Sequence, residues 1–231
     1  MSSIRDFGTA IRRSLEEPPS PVRKAIVRHV RSDPWRPHHD KTASLYIHIP
    51  RTAGGSIVEA LYDHEERGHT PLYAYAYTRP EAMDGLFKFS VVRNPWDRMV
   101  SAYHRVLGTA KNPATRAWGE RNLLRFGSFD AFIDAIGEDQ TLRWTVLSYP
   151  HFRAQFEYLS VDGALAVDFV GRFETLAEDF STIANRVRPG ASLGHRHKSS
   201  HAHYRTYYTD RTAEIVGSIY ARDVSAFDYS F

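Results

Sequence analysis

One short stretch of the sequence has the residue types of an anion-binding corner. An alternating apolar run enters a Gly-rich turn that carries one arginine, and a helical pattern follows. Glycines let backbone N–H groups approach an anion, the start of a helix adds its positive dipole end, and arginine adds a planar set of charged donors. We therefore predict a loop that binds phosphate or sulfate, against the simpler interpretation of a tight strand-to-helix turn. The residues of this loop are Arg51, Thr52, Ala53, Gly54, Gly55 and Ser56.

A second corner, VVRNPWDRMVSAY, follows another strand-like run. Arg93 lies at the end of that run, and Ser101 lies in the helical segment that comes next. Because the carboxyl ends of parallel strands meet at one edge of a sheet, Arg93 is placed to bind a second phosphate of the same ligand. The structural alternative is that Arg93 pairs with Asp97 and that Ser101 is a small packing residue.

The first loop differs from that of ordinary nucleotide-hydrolysing enzymes. Their motif, G-x-x-x-x-G-K-[ST], places a lysine immediately before the hydroxyl residue, whereas Gly55 precedes Ser56 in this chain. The sequence also has no obvious acidic strand end that would hold magnesium. A kinase that uses magnesium and ATP is therefore the less favoured enzyme.

The two corners need a scaffold that brings them together, and the order of elements predicts one. Strand-like runs alternate with helical segments, which indicates an α/β fold whose parallel sheet is covered on both faces. The helix after the second corner has Asn94 as its predicted N-cap. Residues 68–85 are interpreted as a loop in which Tyr73, Tyr75 and Tyr77 form a half-buried extended segment or line a cleft. The strand-like runs are residues 45–49, 87–93 and 165–173.

Composition and charge limit the kind of protein. The chain has 231 residues and a net charge of +3, which is less basic than a dedicated nucleic-acid binder, so no nucleic-acid partner is expected. It contains no cysteine, which excludes disulfides and thiolate ligands. No apolar run approaches the roughly 20 residues of a membrane span, and the first residues lack the apolar core of a secretory signal. We therefore expect a cytoplasmic protein without a transmembrane segment.

Composition also divides the chain into two parts. Residues 1–43 form a polar, Pro- and Arg-rich extension, within which residues 21–30 have the pattern of a short basic helix. This helix either docks on the flank of the domain or binds a membrane surface or a partner. Residues 44–231 form the domain that carries both corners.

A late cluster of histidines fits no strong metal template, so no metal is expected there. The cluster consists of His195, His197, His201 and His203.

Together the two corners resemble the cofactor-binding motifs of the sulfotransferases that use 3′-phosphoadenosine 5′-phosphosulfate (PAPS). They are most similar to the carbohydrate sulfotransferase-like branch called family 2. That branch typically has I-P-K-T-A-G-T-S and F-V-R-N-P-[YW]-D-R-[LM]-V-S-A-Y, where this chain has IPRTAGGS and VVRNPWDRMVSAY. The resemblance continues in HFRAQFEYL, VDFVGRFETLAEDF, HKSSHAHYRTYYTD and a closing Y-x-x-D-x-x-x-F-x-Y-x-F, and so covers residues 45–231. It implies a P-loop-like, three-layer α/β fold with a central parallel sheet flanked by helices.

The resemblance also implies roles for the two corners. The loop that begins at Arg51 would wrap the 5′-phosphosulfate of PAPS, and Arg93 with Ser101 would hold the 3′-phosphate. Lys198 and Ser199 would contact the cofactor from a late loop. The alternative for these two residues is a solvated basic loop without a ligand.

Two departures from the family pattern lie in the first loop. Arg51 replaces the usual lysine, and because arginine stays protonated it can stabilise the charge of the departing phosphate but cannot act as an acid. Gly55 replaces a threonine and removes one hydroxyl contact.

Arg172, at the end of the third strand-like run, is a further candidate for cofactor binding, unless it pairs with Glu174 or Asp179.

The implied reaction is transfer of a sulfuryl group from PAPS to a hydroxyl of an acceptor, a saccharide or glycolipid, with release of 3′,5′-adenosine diphosphate (PAP) and without a metal. Relatives place a catalytic histidine between the two motifs, and His69 is the candidate there. His64 and Glu65 are the alternatives, and His48 is interpreted as a structural residue. Histidine suits general-base catalysis near neutral pH. Two rival functions stay open: a P-loop kinase, and a relative that binds PAP or a glycan without catalysis.

Overall fold

A computed structural model gives the fold of residues 33–64, 68–109, 112–194 and 202–231. In chain order, its strands are β1 (Ser44–Tyr46), β2 (Phe87–Val92), β3 (Ser160–Val161), β4 (Ala164–Leu165) and β5 (Phe169–Arg172). Its helices are α1 (Pro37–Thr42), α2 (Gly54–Tyr62), α3 (Leu72–Thr78), α4 (Pro95–His104), α5 (Pro113–Asn122), α6 (Phe129–Glu138), α7 (Gln140–Leu147), α8 (Gln155–Leu159), α9 (Leu176–Val187), α10 (Asp210–Ile219) and α11 (Ala221–Ala226).

The central sheet is parallel and has three strands. Its order is β1–β2–β5, with Ser44 opposite Phe87 in one pair and Val92 opposite Arg172 in the other. β3 and β4 form a separate antiparallel hairpin. The prediction of an α/β fold with a central parallel sheet flanked by helices is confirmed. Because β1 and β2 run in the same direction, the two corners that follow them open on the same edge of the sheet.

Side chains of the sheet alternate between two cores, one on each face. Leu45 and Val92 belong to one core, whereas Tyr46 and Phe89 belong to the other. This alternation is the period of two that β-strands impose, and here both sides of it are buried. The first core contains Trp96, Met99 and Val100 of α4, and the second contains Ile57, Val58 and Leu61 of α2 with Phe180 and Ile183 of α9.

The helix after β2 begins where the sequence predicts. The side chain of Asn94 accepts hydrogen bonds from the backbone N–H groups of Trp96 at 3.1 Å and Asp97 at 3.4 Å, and so satisfies donors that the first turn leaves without partners. The start of α4 is also tied to the end of the domain. The Trp96 indole donates to the Ala213 carbonyl oxygen at 2.8 Å, and Asn94 Nδ2 donates to the Ser230 carbonyl oxygen at 3.0 Å.

Two predicted elements are different in the structure. The third strand is shorter than residues 165–173, because residues 164–165 pair with β3 and only β5 joins the sheet. Residues 72–78, expected to be loop-like or extended, form α3. The alternation of tyrosine and alanine has the period of a strand, but Leu72 and Tyr75 lie three residues apart on one helical face and are both buried. Alanine also has the highest helix propensity of any residue.

The part of the chain before β1 is described from residue 33 onward. There α1 precedes the sheet directly, and His38 and His39 within it are buried. The basic helix expected at residues 21–30 lies outside the described residues, and the division of the chain at residue 44 stays a prediction. Within the described ranges, no helix is both long enough and apolar enough to cross a membrane.

Candidate active site

The first corner is built on two residues with left-handed backbone. Arg51 has a φ of 73° and Ala53 a φ of 64°, in a region that costs an L-residue roughly 1–2 kcal/mol. The Thr52 hydroxyl donates to the Ile49 carbonyl oxygen at 2.9 Å, and Thr52 is fully buried. The turn therefore has a fixed shape at the end of β1. The hydroxyl proton of Thr52 is used within the loop and is not left for a ligand.

Gly54, the first residue of α2, lies against His48. A Cβ at position 54 would overlap the His48 imidazole, whereas a Cβ at Gly55 would meet nothing within 4 Å. The His48 ring is itself stacked on Tyr46 with a centroid distance of 5.7 Å. Close packing therefore requires glycine at position 54, while the exposed Gly55 leaves the start of α2 open.

The start of α2 presents backbone donors to an anion. The first N–H groups of an α-helix have no acceptor within the helix, and the helix dipole gives this end a partial positive charge. The N–H of Ser56 bonds to the Ala53 carbonyl oxygen at 3.0 Å. The N–H groups of Gly54 and Gly55 come before that bond, so they are the donors that this end of the helix offers.

Arg93 is the residue that follows β2, and it is 3% exposed. Its Nε donates to Asp97 Oδ2 at 2.8 Å, and its Nη1 donates to the Arg51 carbonyl oxygen at 3.2 Å. The guanidinium also lies over the ring of Phe173, 4.1 Å from the centroid. The pair with Asp97 that the sequence named as the structural alternative is thus present. It orients the guanidinium without taking it away from the corner.

The two corners are in direct contact. Arg51 Nε donates to Ser101 Oγ at 3.0 Å, and Ser101 is 1% exposed. The bond from Arg93 to the Arg51 carbonyl joins the same two corners through the main chain. A guanidinium from each motif and a hydroxyl from α4 therefore lie together at the carboxyl edge of the sheet, as its parallel topology requires.

This edge carries an excess of positive charge. Burial, together with the charges of Arg93 and Arg105, lowers the pKa of Arg51 to about 10, so Arg51 stays protonated at neutral pH. Arg105 lies in the π-helical turn Arg105–Thr109 that continues α4, and sequence reasoning did not identify it. The carboxylate bonded within this group is Asp97. Mutual repulsion among guanidinium groups is relieved by a bound anion, which charge-assisted hydrogen bonds then hold.

The hydrogen-bond partner of His69 shows which of its two ring nitrogens carries the proton. Its Nδ1 lies 3.0 Å from the His48 carbonyl oxygen. Because a carbonyl oxygen only accepts, Nδ1 carries the proton and Nε2 keeps a lone pair. Burial lowers the pKa of His69 below its usual value of 6.5, and the hydrogen bond to His48 opposes this with a smaller effect. His69 is therefore neutral at neutral pH, with Nε2 as its basic atom.

The alternatives to His69 are less well placed. His64 lies beyond the C-terminal end of α2, roughly 13 Å along the helix from the loop, with its Nε2 3.7 Å from Glu59 Oε1 and its side chain 56% exposed. Glu65 lies outside the described residues. The His48 ring packs between Tyr46 and His69, 4.4 Å from the His69 centroid. This contact is the structural position that the sequence predicts for His48.

His151 is a further histidine at this edge that sequence reasoning missed. Its ring lies 6.0 Å from that of His69 and stacks on Tyr149 at 5.5 Å, and Tyr149 in turn stacks on Trp118 at 4.0 Å. Within the described part of the chain, its buried Nδ1 has no hydrogen-bond partner. Burial, with the charge that His69 carries when protonated and the charge of Arg51, lowers the pKa of His151 to about 3. The one signal in the sequence was its position at the start of HFRAQFEYL.

The remaining predicted contacts lie away from the corner or outside the described ranges. The Arg172 side chain donates from Nη2 to the Phe227 carbonyl oxygen at 2.6 Å, so it holds the C-terminal segment in place of a cofactor. The backbone N–H of Arg172, not its guanidinium, bonds to Asp179 at 2.8 Å. Lys198 and Ser199 lie outside the described residues.

Among the residues that the structure describes, no group of three or more His, Cys, Asp or Glu side chains has the arrangement of a metal site. Of the late histidines, His203 packs against Tyr204 with a centroid distance of 4.8 Å. The other three, His195, His197 and His201, fall outside those ranges. The groups brought to the sheet edge are therefore arginines, hydroxyls, backbone N–H groups and neutral histidines.

Comparison with known proteins identifies the family of the chain. The sequence model of the Sulfotransferase family matches residues 39–230, which is most of the chain and includes both corners. No curated protein and no solved structure matches the chain at a significant level. The family match confirms the resemblance carried by the motifs. The chain belongs to the sulfotransferase family, and its activity is that of a transferase of sulfuryl groups.

Proposed function

We propose that the chain transfers a sulfuryl group from PAPS to a hydroxyl of an acceptor and releases PAP. The observation that carries this proposal is the bond from Arg51 Nε to Ser101 Oγ at 3.0 Å. It joins residues that the family resemblance assigns to the two ends of one nucleotide. A ligand with phosphate groups at both its 5′ and 3′ positions would contact both corners at once.

The donor groups at the corner fit such a ligand. Arg51 and the N–H groups at the start of α2 suit the 5′-phosphosulfate, and Arg93 and Ser101 suit the 3′-phosphate. Because Ser101 Oγ accepts from Arg51, its own hydroxyl proton is left for a phosphate oxygen. Each charge-assisted hydrogen bond contributes roughly 1.5–3 kcal/mol, and more where the anion is taken out of water beside buried partners. The family resemblance adds Thr52, Ala53, Ser56, Lys198 and Ser199 to the proposed contacts.

The chemistry proposed for the chain's own residues follows from their protonation. His69 Nε2, unprotonated at neutral pH, would take the proton of the acceptor hydroxyl as a general base. The Arg51 guanidinium, protonated at every physiological pH, would stabilise the negative charge that develops on the phosphate as it leaves. When bound, PAPS supplies the sulfuryl group and this leaving phosphate.

We propose a saccharide or a glycolipid as the acceptor. What supports this choice is the resemblance to the carbohydrate sulfotransferase-like branch. The stacked rings of Trp118, Tyr149 and His151, which end 6.0 Å from the His69 ring, are a second observation in its favour. Aromatic side chains of this kind combine an apolar face with polar edges, which suits contact with a sugar.

Calorimetry of nucleotide binding tests the donor directly. PAP, ADP and ATP are titrated into the wild type and into Arg93→Ala, with the exposed arginine variant Arg125→Ala as the matched control. We expect PAP to bind at least tenfold more tightly than ADP, because only PAP has a 3′-phosphate. The preference should disappear in Arg93→Ala and persist in Arg125→Ala. A wild type that binds PAP and ADP equally would overturn the proposal and favour a nucleotide kinase instead.

A further inference from the structure

Gln155 is a fully buried amide that bonds to the main chain of Arg93. Its Oε1 accepts from the Arg93 N–H at 2.9 Å, and its Nε2 donates to the Arg93 carbonyl oxygen at 2.8 Å. The pairing of β1 with β2 extends only to Phe89. Gln155 therefore satisfies both main-chain groups of Arg93 at a position where the neighbouring strand no longer does.

A buried carboxylate holds Gln155 in turn. The two carboxylate oxygens of Asp223 accept the N–H groups of Gln155 and Phe156, both at 2.8 Å, and so cap the start of α8 from α11. Asp223 is 0% exposed. Burial raises its pKa, and the charge of Arg98 and the two N–H bonds oppose that effect. These bonds favour the carboxylate form, which accepts on both oxygens.

Arg98 fixes the segment that leads into Gln155. It is 1% exposed and donates from Nη1 to the His151 carbonyl oxygen at 3.2 Å and from Nη2 to the Arg153 carbonyl oxygen at 2.6 Å. Arg98 lies on α4, the same helix that carries Ser101. Gln155 thus reaches Arg93 from a segment that is anchored both to α4 and to Asp223.

The position of the Arg93 guanidinium depends on its main chain. The side chain is held at Nε by Asp97 and reaches the Arg51 carbonyl through Nη1. A shift of the main chain would therefore move the guanidinium relative to Ser101. A misplacement of about 1 Å is enough to impair a binding site of this kind.

We infer that Gln155 is a positioning residue of the nucleotide site, which fixes the main chain of Arg93 so that its guanidinium faces the 3′-phosphate. This inference rests on the proposed function, since it takes Arg93 as the group that binds that phosphate. Asp223 acts one step further away, by holding Gln155. A merely structural role for Gln155 would lower the stability of the fold without changing the discrimination between nucleotides.

Gln155→Glu tests the inference with a side chain of almost the same shape. An ionised carboxylate accepts from the Arg93 N–H but cannot donate to the Arg93 carbonyl oxygen, which it repels. A protonated carboxyl would still donate, so Gln155→Met, which has no donor at any pH, is measured beside it. PAP and ADP affinities are measured by calorimetry for the wild type, Gln155→Glu and the control Gln140→Glu, which makes the same change at an exposed glutamine. Thermal unfolding of each variant shows whether the fold is kept.

We expect Gln155→Glu to lose at least tenfold in PAP affinity while its ADP affinity changes less than twofold, and Gln140→Glu to match the wild type. If Gln155→Glu does not fold, Gln155→Met removes both hydrogen bonds without burying a charge, and the same losses are expected from it. A full preference for PAP in folded Gln155→Met would overturn this inference alone. A wild type without that preference would overturn the proposed function and this inference with it.

Discussion

One hydrogen bond determines which ring nitrogen of His69, the proposed base, can accept a proton. His69 donates from Nδ1 to the His48 carbonyl oxygen, which leaves the lone pair on Nε2. Burial lowers the pKa of His69, so the neutral form that accepts a proton persists to a pH below 6.5. Turnover that depends on His69 should fall as the pH is lowered through this depressed pKa, not at the usual value for histidine.

Replacement of His69 by alanine should separate catalysis from nucleotide binding. General-base catalysis typically contributes about 10²–10⁴-fold to a rate, and we expect His69→Ala to lose turnover in that range. The affinity for PAP should stay within a few-fold of the wild type, because His69 bonds to His48 and not to Arg51 or Arg93. Transfer of labelled sulfate to a panel of glycan acceptors measures the first quantity, and calorimetry measures the second.

His64→Ala is the matched control for that experiment. It removes an exposed histidine from the same part of the chain, at the other end of α2. Turnover close to that of the wild type is expected from it. Near-normal turnover of His69→Ala would show that another group is the base.

The corner between β1 and α2 takes its shape from packing on a neighbouring ring. Two left-handed residues, Arg51 and Ala53, turn the chain, and Gly54 then passes against the His48 imidazole without room for a Cβ. The His48 ring cannot simply move away, because it packs between Tyr46 and His69. The His48 ring therefore packs against both the anion-binding loop, at Gly54, and the candidate base, His69.

A comparison of two adjacent glycines tests this account of the corner. Gly54→Ala should lower the free energy of unfolding by about 1–3 kcal/mol, the usual cost of overpacking a filled site. Gly55→Ala, one residue on in the same helix, meets open space and should be neutral or raise stability by up to about 1 kcal/mol, because alanine is the better helix former. Urea unfolding of both variants measures the difference. Equal effects would show that His48 does not restrict position 54.

Elements with local signals could be predicted from the sequence, and those shaped by packing could not. The start of α4 has its N-cap in Asn94 and a proline directly after it, and both act within one turn. The helix α3 has no such signal, because its tyrosines alternate as in a strand while buried contacts of Leu72 and Tyr75 decide its conformation. The predicted strand at residues 165–173 was also wrong in its limits. Ala164 and Leu165 form β4, which pairs with β3, and β5 covers only Phe169–Arg172.

The same distinction applies to the candidate site. Arg51, Arg93 and Ser101 could be named from two corners with recognisable residue types, and the structure brings these three together. Gln155 and His151 carry no such local pattern, because their positions follow from the packing of distant segments against α4. A motif that contains both residues was visible in the sequence, but nothing in the spacing showed which groups they contact.

At the scale of the whole molecule, two half-buried histidines should make the fold sensitive to acid. The pKa of His151 is about 3 in the folded chain, chiefly because of burial, against about 6.5 in the unfolded chain. The unfolded state therefore binds a proton first as the pH falls, and the folded state loses stability below about pH 6.5. His69, whose pKa is also lowered, acts in the same direction.

Removal of the His151 imidazole should reduce this sensitivity. For a single group shifted from about 6.5 to about 3, the free energy of unfolding falls by about 2 kcal/mol between pH 7 and pH 5. We expect His151→Phe to show a decrease smaller than that of the wild type by up to about this amount, in urea unfolding at the two pH values. His64→Phe, which changes an exposed histidine, should keep the wild-type decrease. An unchanged decrease in His151→Phe would show that His151 is not the group responsible.

The ties between the second corner and the end of the domain have a consequence for synthesis. Asn94, next to Arg93, bonds to the carbonyl of Ser230, and Gln155, which bonds to Arg93, is held by Asp223. During translation, a nascent chain that has passed residue 101 contains both anion-binding corners but none of these supports. The two corners therefore leave the ribosome before the segments that hold them in place have been synthesised. The capacity to bind a nucleotide is among the last properties that the emerging chain acquires.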